Sequence, residues 1–188
     1  MIKTSKCRYI YLIIGKSGVG KTSVIHELCK RYNLSEVISY TTRKRRLNEG
    51  NTHIFIDKRT FESMRKNLVA FTEFDDNFYG VDAQSIEDND LYAIDLQGIN
   101  FFKKNYKGNK PFKVILIDSP ESVCHMRMIE RGDSHIAIAK RLANDKEAFK
   151  DANDIADYIV ENDFFDSCVK DVYDYIMKCE NETDGDNT

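Results

Sequence analysis

The sequence has no apolar run long enough to cross a membrane or to form the core of a secretory signal: behind a basic start, residues 1–8, the apolar stretch 9–14 is only as long as a strand. It has no Cys-x-x-Cys pair, and its five cysteines, Cys7, Cys29, Cys124, Cys168 and Cys179, are odd in number. Neither a zinc site nor a closed disulfide framework is indicated, and a reducing, cytoplasmic setting is expected. A strong charge of one sign is missing too. With 28 Lys and Arg against 31 Asp and Glu, the net charge of −3 gives no general pull toward nucleic acid or anionic lipid. No nucleic-acid or membrane partner is therefore expected, and any basic site must be local. Internal repeats are absent, and the acidic end, 180–188, lacks large apolar residues and is expected to be disordered.

What is present suits one ordinary globular domain over 1–179, since a chain of 188 residues with 41% hydrophobic and 31% charged residues can bury a sizeable core. Residues 9–14 read as a buried strand closed by Gly15, and Val24, Ile25, Leu28 and Cys29 then recur at helical spacing up to Arg31. A second short strand is expected over 37–40. Residues 53–79 change character, with extended stretches at 53–56 and 69–74, a helix over 60–67 carrying Phe61, Met64 and Leu68 on one side, and a turn at Asp75-Asp76-Asn77. Strands resume at 91–95 and 112–118, each followed by a helix, the second with Ser119 as N-cap and Pro120 at its first position. A polar connection over 132–141, a helix over 141–149, a strand at 157–160 and a closing helix over 165–178 complete the chain. This alternation predicts an α/β fold, a parallel sheet flanked by helices, from 1–40 and 90–179, with a small mixed α+β insertion at 41–89 and a lid at about 130–142. Cys124 and Cys168 fall on apolar helix stripes and read as buried structural thiols.

Gly15-Lys16-Ser17-Gly18-Val19-Gly20-Lys21-Thr22 has the spacing Gly-x-x-x-x-Gly-Lys-Thr between strand and helix, the pattern of a P-loop. Each fixed residue has a mechanical reason. Glycines let the backbone wrap a β-phosphate with its N–H groups inward, and the helix adds its positive end. Lys21 offers a point charge to the β- and γ-phosphates, and the Thr22 hydroxyl a ligand for Mg²⁺. The expected donor site comprises Gly15, Ser17, Gly18, Val19, Gly20, Lys21, Thr22 and Ser23, for a nucleoside triphosphate with Mg²⁺ as the cofactor.

Gly15 to Ser23, Ser39-Tyr40-Thr41-Thr42-Arg43 with Arg46, Asn77-Phe78-Tyr79-Gly80, Asp95-Leu96-Gln97-Gly98, Arg131-Gly132-Asp133 and the stretch 159–163 occur in the order and approximate spacing of guanylate kinases, which the chain resembles over about 9–178. The resemblance implies a nucleoside monophosphate kinase of P-loop fold that transfers the ATP γ-phosphoryl group to GMP or dGMP, working as a monomer or homodimer. It implies that Arg43, Arg46 and Tyr79 grip the acceptor phosphate, that Ser39 and Asp95 touch the base, and that Asn162 meets adenine. Arg131 and Arg141 on the lid then act with Lys21 on the transferring group. An acceptor that is itself a dianion needs such guanidinium forks and hydroxyls.

The departures concern the acceptor. Ala70 stands where the family has a base-reading glutamate, and Val81 where it has a hydroxyl. His53 aligns with a phosphate-binding tyrosine, and Ala93 with a residue that is often acidic. Glu73 is the nearest carboxylate to Ala70, but three residues along a strand place it on the opposite face unless a bulge intervenes. His53 and Glu73 complete the acceptor candidates. A same-fold kinase with another nucleotide acceptor, and a non-catalytic module binding phosphorylated partners through Arg43 and Arg46, are the competing readings, and the intact Gly20-Lys21-Thr22 argues against the second.

Overall fold

The computed structural model describes residues 6–45 and 50–182. Its centre is β1 (Ile10–Ile14), five consecutive apolar residues that are all fully buried because the strand is covered on both faces. β1 lies between β6 (Leu91–Ala93) and β7 (Phe112–Asp118), and β8 (Tyr158–Glu161) completes a sheet of order β6-β1-β7-β8, parallel throughout. Tyr11 and Ile13 face α1 (Lys21–Tyr32) and α8 (Phe165–Asn181), packing with Val24, Leu28, Val169 and Val172. Ile10, Leu12 and Ile14 face the other way, onto Ile86 of α3 (Ala83–Glu87) and onto Ile99 and Phe102 of α4 (Leu96–Asn105).

A second sheet, of order β3-β2-β5-β4, stands beside the first. It consists of β2 (Ser39–Thr41), β3 (His53–Phe55), β4 (Leu68–Phe74) and β5 (Asn77–Asp82). β2 and β3 run parallel; the other pairs are antiparallel. Phe61 of α2 (Lys58–Met64) is buried against this sheet, within ring contact of Phe71 and Phe78. Asp75 and Asp76, at φ 54° and 58°, form the two-residue turn joining β4 to β5, a left-handed geometry that aspartate tolerates. The parallel sheet with flanking helices and a smaller mixed sheet is the expected fold class.

Several expectations shift in detail. The strand anticipated at 37–40 divides: Glu36 bridges to Leu91 of the parallel sheet, and pairing resumes only at Ser39, in the second sheet. The helix anticipated over 60–67 is α2 followed by a 3-10 turn, Arg65–Asn67, and Leu68 already belongs to β4. Pro120, not Ser119, is the N-cap of α5 (Glu121–Glu130), because the Ser119 hydroxyl donates instead to the Asn162 carbonyl across the sheet end. The connection anticipated over 132–141 is mostly helix. Ser134 caps Ala137 N–H, and α6 (His135–Ala148) runs on through the whole segment, followed by the short α7 (Ala152–Ile155). Glu180, read as the start of a tail, lies in α8 and accepts from Arg8 N–H and, less closely, from Tyr9 N–H, as well as from the Tyr11 hydroxyl. Residues 183–188 of that tail, and Arg46, lie outside the described residues.

Candidate functional site

The loop between β1 and α1 turns at the carboxyl end of the parallel sheet, where this fold class binds ligands. Its glycines are required by contact as well as by conformation. At Gly18, φ +80°, a Cβ would stand 2.5 Å from the Cys124 carbonyl oxygen, and at Gly20, φ +102°, 2.7 Å from Asn162 Nδ2. The loop is therefore pressed onto α5 and onto the end of β8. Val19, the residue between these glycines, is fully buried.

The Lys21 ammonium lies inside the curve of the loop, donating to the carbonyls of Gly15 and Lys16. Burial lowers its pKa to about 8, against the opposing pull of the Asp145 and Asp95 carboxylates. Asp145 of α6 reaches the loop itself: Ser17 N–H donates to its Oδ2 at 2.7 Å. A carboxylate oxygen thus shows that this N–H is aimed at an anion position. Lys16 Nζ pairs with Asp118 at 3.3 Å, while Thr22 and Ser23 are exposed at the start of α1.

Behind the loop lies a support that local sequence patterns do not reveal. Asn162, 1% exposed, donates from Nδ2 to the Val19 carbonyl at 2.8 Å, and its Oδ1 is buried without a hydrogen-bond partner. Arg127 of α5 donates to the same Val19 carbonyl at 3.0 Å and to the Asn162 carbonyl at 2.9 Å. Arg127 was not among the candidates, and its partners Val19 and Asn162 are 108 and 35 residues away in the chain. The structure thus places Asn162 as a brace under the loop, with one acceptor atom still uncommitted.

Arg131 and Arg141, the arginines of the expected lid, converge on one carboxylate. Arg131 binds Asp133 through Nε, at 3.2 Å, and through its terminal nitrogen, and Arg141 Nε lies 4.0 Å from the same group. The positive charge of Arg131 is felt at Lys21, where it opposes protonation. Arg141 also lies over the Phe74 ring at 5.2 Å, and Lys140 pairs with Asp75, so α6 touches the tip of the β4–β5 hairpin.

Four of the acceptor candidates, Ser39, His53, Tyr79 and Asp95, gather between the two sheets, whereas Arg43 does not line the pocket. A pocket of about 90 Å³ is lined by Ser39, His53, Thr72, Tyr79 and Asp95 together with Phe71, Tyr92 and Gly98. Ser39 Oγ and His53 Nδ1 share a hydrogen bond of 2.8 Å because β2 and β3 pair them in register, and the His53 ring meets the Tyr79 ring edge-on at 5.8 Å. Asp95 caps α4, accepting from Gly98 N–H at 2.6 Å on Oδ1. Thr72 donates to that same oxygen, also at 2.6 Å. Arg43 lies at the end of β2, over the Phe55 ring at 5.5 Å and donating to the Lys44 carbonyl.

Glu73 does not join them. The bulge in β4 falls between Leu68 and Ala70, upstream of both residues, so Ala70 and Thr72 share the inward face and Glu73 is exposed on the other. Thr72, two residues after Ala70, is the polar group that alternation does bring to the pocket, and strand parity alone marks it.

Mg²⁺ favours oxygen ligands and, beside a bound nucleotide, needs few from the protein. Among the described residues no cluster of three His, Cys, Asp or Glu side chains forms a dedicated metal cage, whereas the Thr22 hydroxyl at the helix start fits an ion held mainly by phosphate oxygens and water. Among the described residues, no helix is long and apolar enough to cross a membrane.

A family model described as guanylate kinase matches residues 7–179. A guanylate kinase of Buchnera aphidicola subsp. Schizaphis graminum is 32% identical over 184 residues, which cover 89% of this chain and 86% of that one. A guanylate kinase of Nitrosomonas europaea is 31% identical over 175 residues, 87% of this chain and 86% of its own. Among solved structures, that of guanylate kinase from Anaplasma phagocytophilum superposes with a TM-score of 0.67 at 19% identity, covering 96% of this chain and 89% of that one. At that identity the superposition speaks for the fold alone.

Proposed function

The chain belongs to the guanylate kinase family, and from that premise we propose that it transfers the γ-phosphoryl group of ATP to GMP or dGMP, yielding ADP and GDP or dGDP. The observation that carries this reading is the proximity of two sites. The phosphate loop leaves the carboxyl end of β1, and Asp95, in the wall of the second pocket, follows the carboxyl end of β6, which lies parallel to β1 with Ile13 paired to Ala93. A donor site and an acceptor pocket thus share one space, as in-line transfer between two bound nucleotides requires.

In this reading the loop N–H groups and the start of α1 hold the β-phosphate, and Lys21 bridges toward the γ-phosphate. Thr22 would hold Mg²⁺, which when bound would offset charge on the donor phosphates. Asn162 supports the donor site from beneath, bracing the loop through the Val19 carbonyl. Arg43, Arg46, Tyr79 and His53 grip the acceptor phosphate, while Ser39 and Asp95 face the base. Arg131 and Arg141 bring positive charge to the transferring group as the lid closes and excludes water. No nucleophile from the protein is needed, since an acceptor phosphate oxygen attacks in line.

The test is a coupled assay of ADP release with Mg-ATP against a panel of nucleoside monophosphates. GMP and dGMP are expected to stimulate turnover, and Lys21→Ala to lower kcat about a hundred- to a thousandfold, the usual loss when one transition-state donor is removed. The absence of acceptor-stimulated turnover would overturn the kinase reading. Preference for another base would overturn only the acceptor.

A further inference from the structure

In a guanine pocket without a glutamate at Ala70, a second base-reading group must come from elsewhere, and the position of Thr72 meets the need. Its side chain is 6% exposed and lines the pocket that holds Ser39, His53, Tyr79 and Asp95. Its hydroxyl is 2.6 Å from Asp95 Oδ1. A carboxylate can only accept, so the Thr72 proton points to Asp95 and the hydroxyl lone pairs are what remain for a ligand. Asp95 Oδ1 already receives Gly98 N–H as well, so the remaining acceptor capacity of the carboxylate lies chiefly on Oδ2. Two neighbouring oxygens, Thr72 Oγ1 and Asp95 Oδ2, therefore present acceptors to the pocket.

A rotatable hydroxyl reads donors and acceptors alike. One whose proton is committed reads donors only. Guanine carries adjacent donors at N1–H and the 2-amino group; hypoxanthine lacks the amino group, and adenine has an acceptor at N1. Building on the kinase reading above, we propose that Thr72 is a specificity-determining residue, its hydroxyl fixed as an acceptor by Asp95 so that it accepts from the 2-amino group of guanine while Asp95 Oδ2 accepts from N1–H. Asp95 is held twice, by the helix it caps and by Thr72, which keeps its own oxygen in place without ordering at the moment of binding.

The test compares the wild type with Thr72→Val, of similar shape without the hydroxyl, and Thr72→Ser, which keeps it. Calorimetric titration of each full chain with GMP and with IMP reads the pocket without relying on turnover. Thr72→Val is expected to weaken GMP about tenfold and IMP far less, narrowing the GMP-to-IMP ratio, because an acceptor lost from a buried site leaves a ligand donor unpaired. Thr72→Ser is expected to keep the ratio within about threefold of the wild type. In turnover the same change is expected to fall on KM for GMP, with kcat held within about twofold. An unchanged GMP-to-IMP ratio in a folded Thr72→Val protein would overturn the proposal, as would equal losses for both nucleotides that serine does not restore, which would mean that Thr72 only props the pocket. Failure of the kinase reading shows differently, as wild-type protein that binds nucleotide without acceptor-stimulated ADP release.

Discussion

Lys21 is drawn in opposite directions by its surroundings. Enclosure by the loop disfavours its charge, and the two carboxylates of Asp145 and Asp95 favour it, with burial the stronger effect and a pKa of about 8 the result. The sign for donor binding follows directly. Below pH 8 the ammonium is present to meet the phosphates; above it the protein carries a neutral amine there. With acceptor saturating, kcat/KM for ATP is expected to be flat up to about pH 8 and then to fall toward tenfold per pH unit; a profile still level at pH 10 would place the ammonium outside the titrating step. Arg43 is proposed for the acceptor half of the site, and on that reading Arg43→Ala is expected to raise KM for GMP by at least tenfold while changing KM for ATP less than threefold in steady-state kinetics. These residues were legible because their chemistry is written in short motifs. Thr72 was marked by strand parity alone, since nothing local to it announces a partner at Asp95, 23 residues away, and Glu73 had the more conspicuous side chain.

Single contacts of long sequence separation hold the elements in place, and these were the hardest to read. Asp90, fully buried at the entry to β6, accepts from the N–H groups of Lys6, Cys7 and Ser35 and from the Ser35 hydroxyl, with Lys110 Nζ at 3.9 Å. One carboxylate thus ties the approach to β1, the end of the α1 connection and the first strand of the next unit. Asp90→Ala removes the acceptor of those donors and the carboxylate beside the buried Lys110, which also donates to the Asn89 carbonyl, so a loss of about 3–5 kcal/mol is expected. For a chain of this length that corresponds to a melting temperature lower by roughly 6–20 °C in calorimetry. β1, α1, β7 and the β4–β5 turn were legible because apolar runs, helical spacing and turn chemistry act within a few residues. The α6 boundary was not, although Ser134 was a capping signal, because Gly132 and Asp133 beside it read equally well as loop. The same α6 carries Asp145 one turn beyond Arg141, and Asp145 must leave Ser17 N–H when a phosphate arrives there. Asp145→Asn removes the charge that competes with phosphate and is expected to tighten ATP about tenfold in equilibrium binding; unchanged or weaker binding would show that Asp145 supports the loop.

Across the whole molecule, α6 reaches the P-loop through Asp145 and Ser17 N–H and bridges to the hairpin through Lys140 and Asp75 and through Arg141 over Phe74. The ion pair is exposed on both sides, so it contributes little to stability on its own and is screened by salt. Its importance lies in what it joins. Asp75→Lys is expected to leave the melting temperature within about 2 °C, and its pairing with Lys140→Asp to restore whatever kinetic coupling the single change removes. A bridge of this kind also decides the fate of a phosphoryl group when no acceptor is waiting. Where the hairpin and α6 are joined, bulk water is kept from the γ-phosphate of bound ATP, and loosening the clasp turns a transferase partly into a wasteful hydrolase. Phosphate release from ATP without any monophosphate is therefore expected to rise severalfold in Asp75→Lys; a leak no greater than that of the wild type would show that the hairpin tip does not guard the donor.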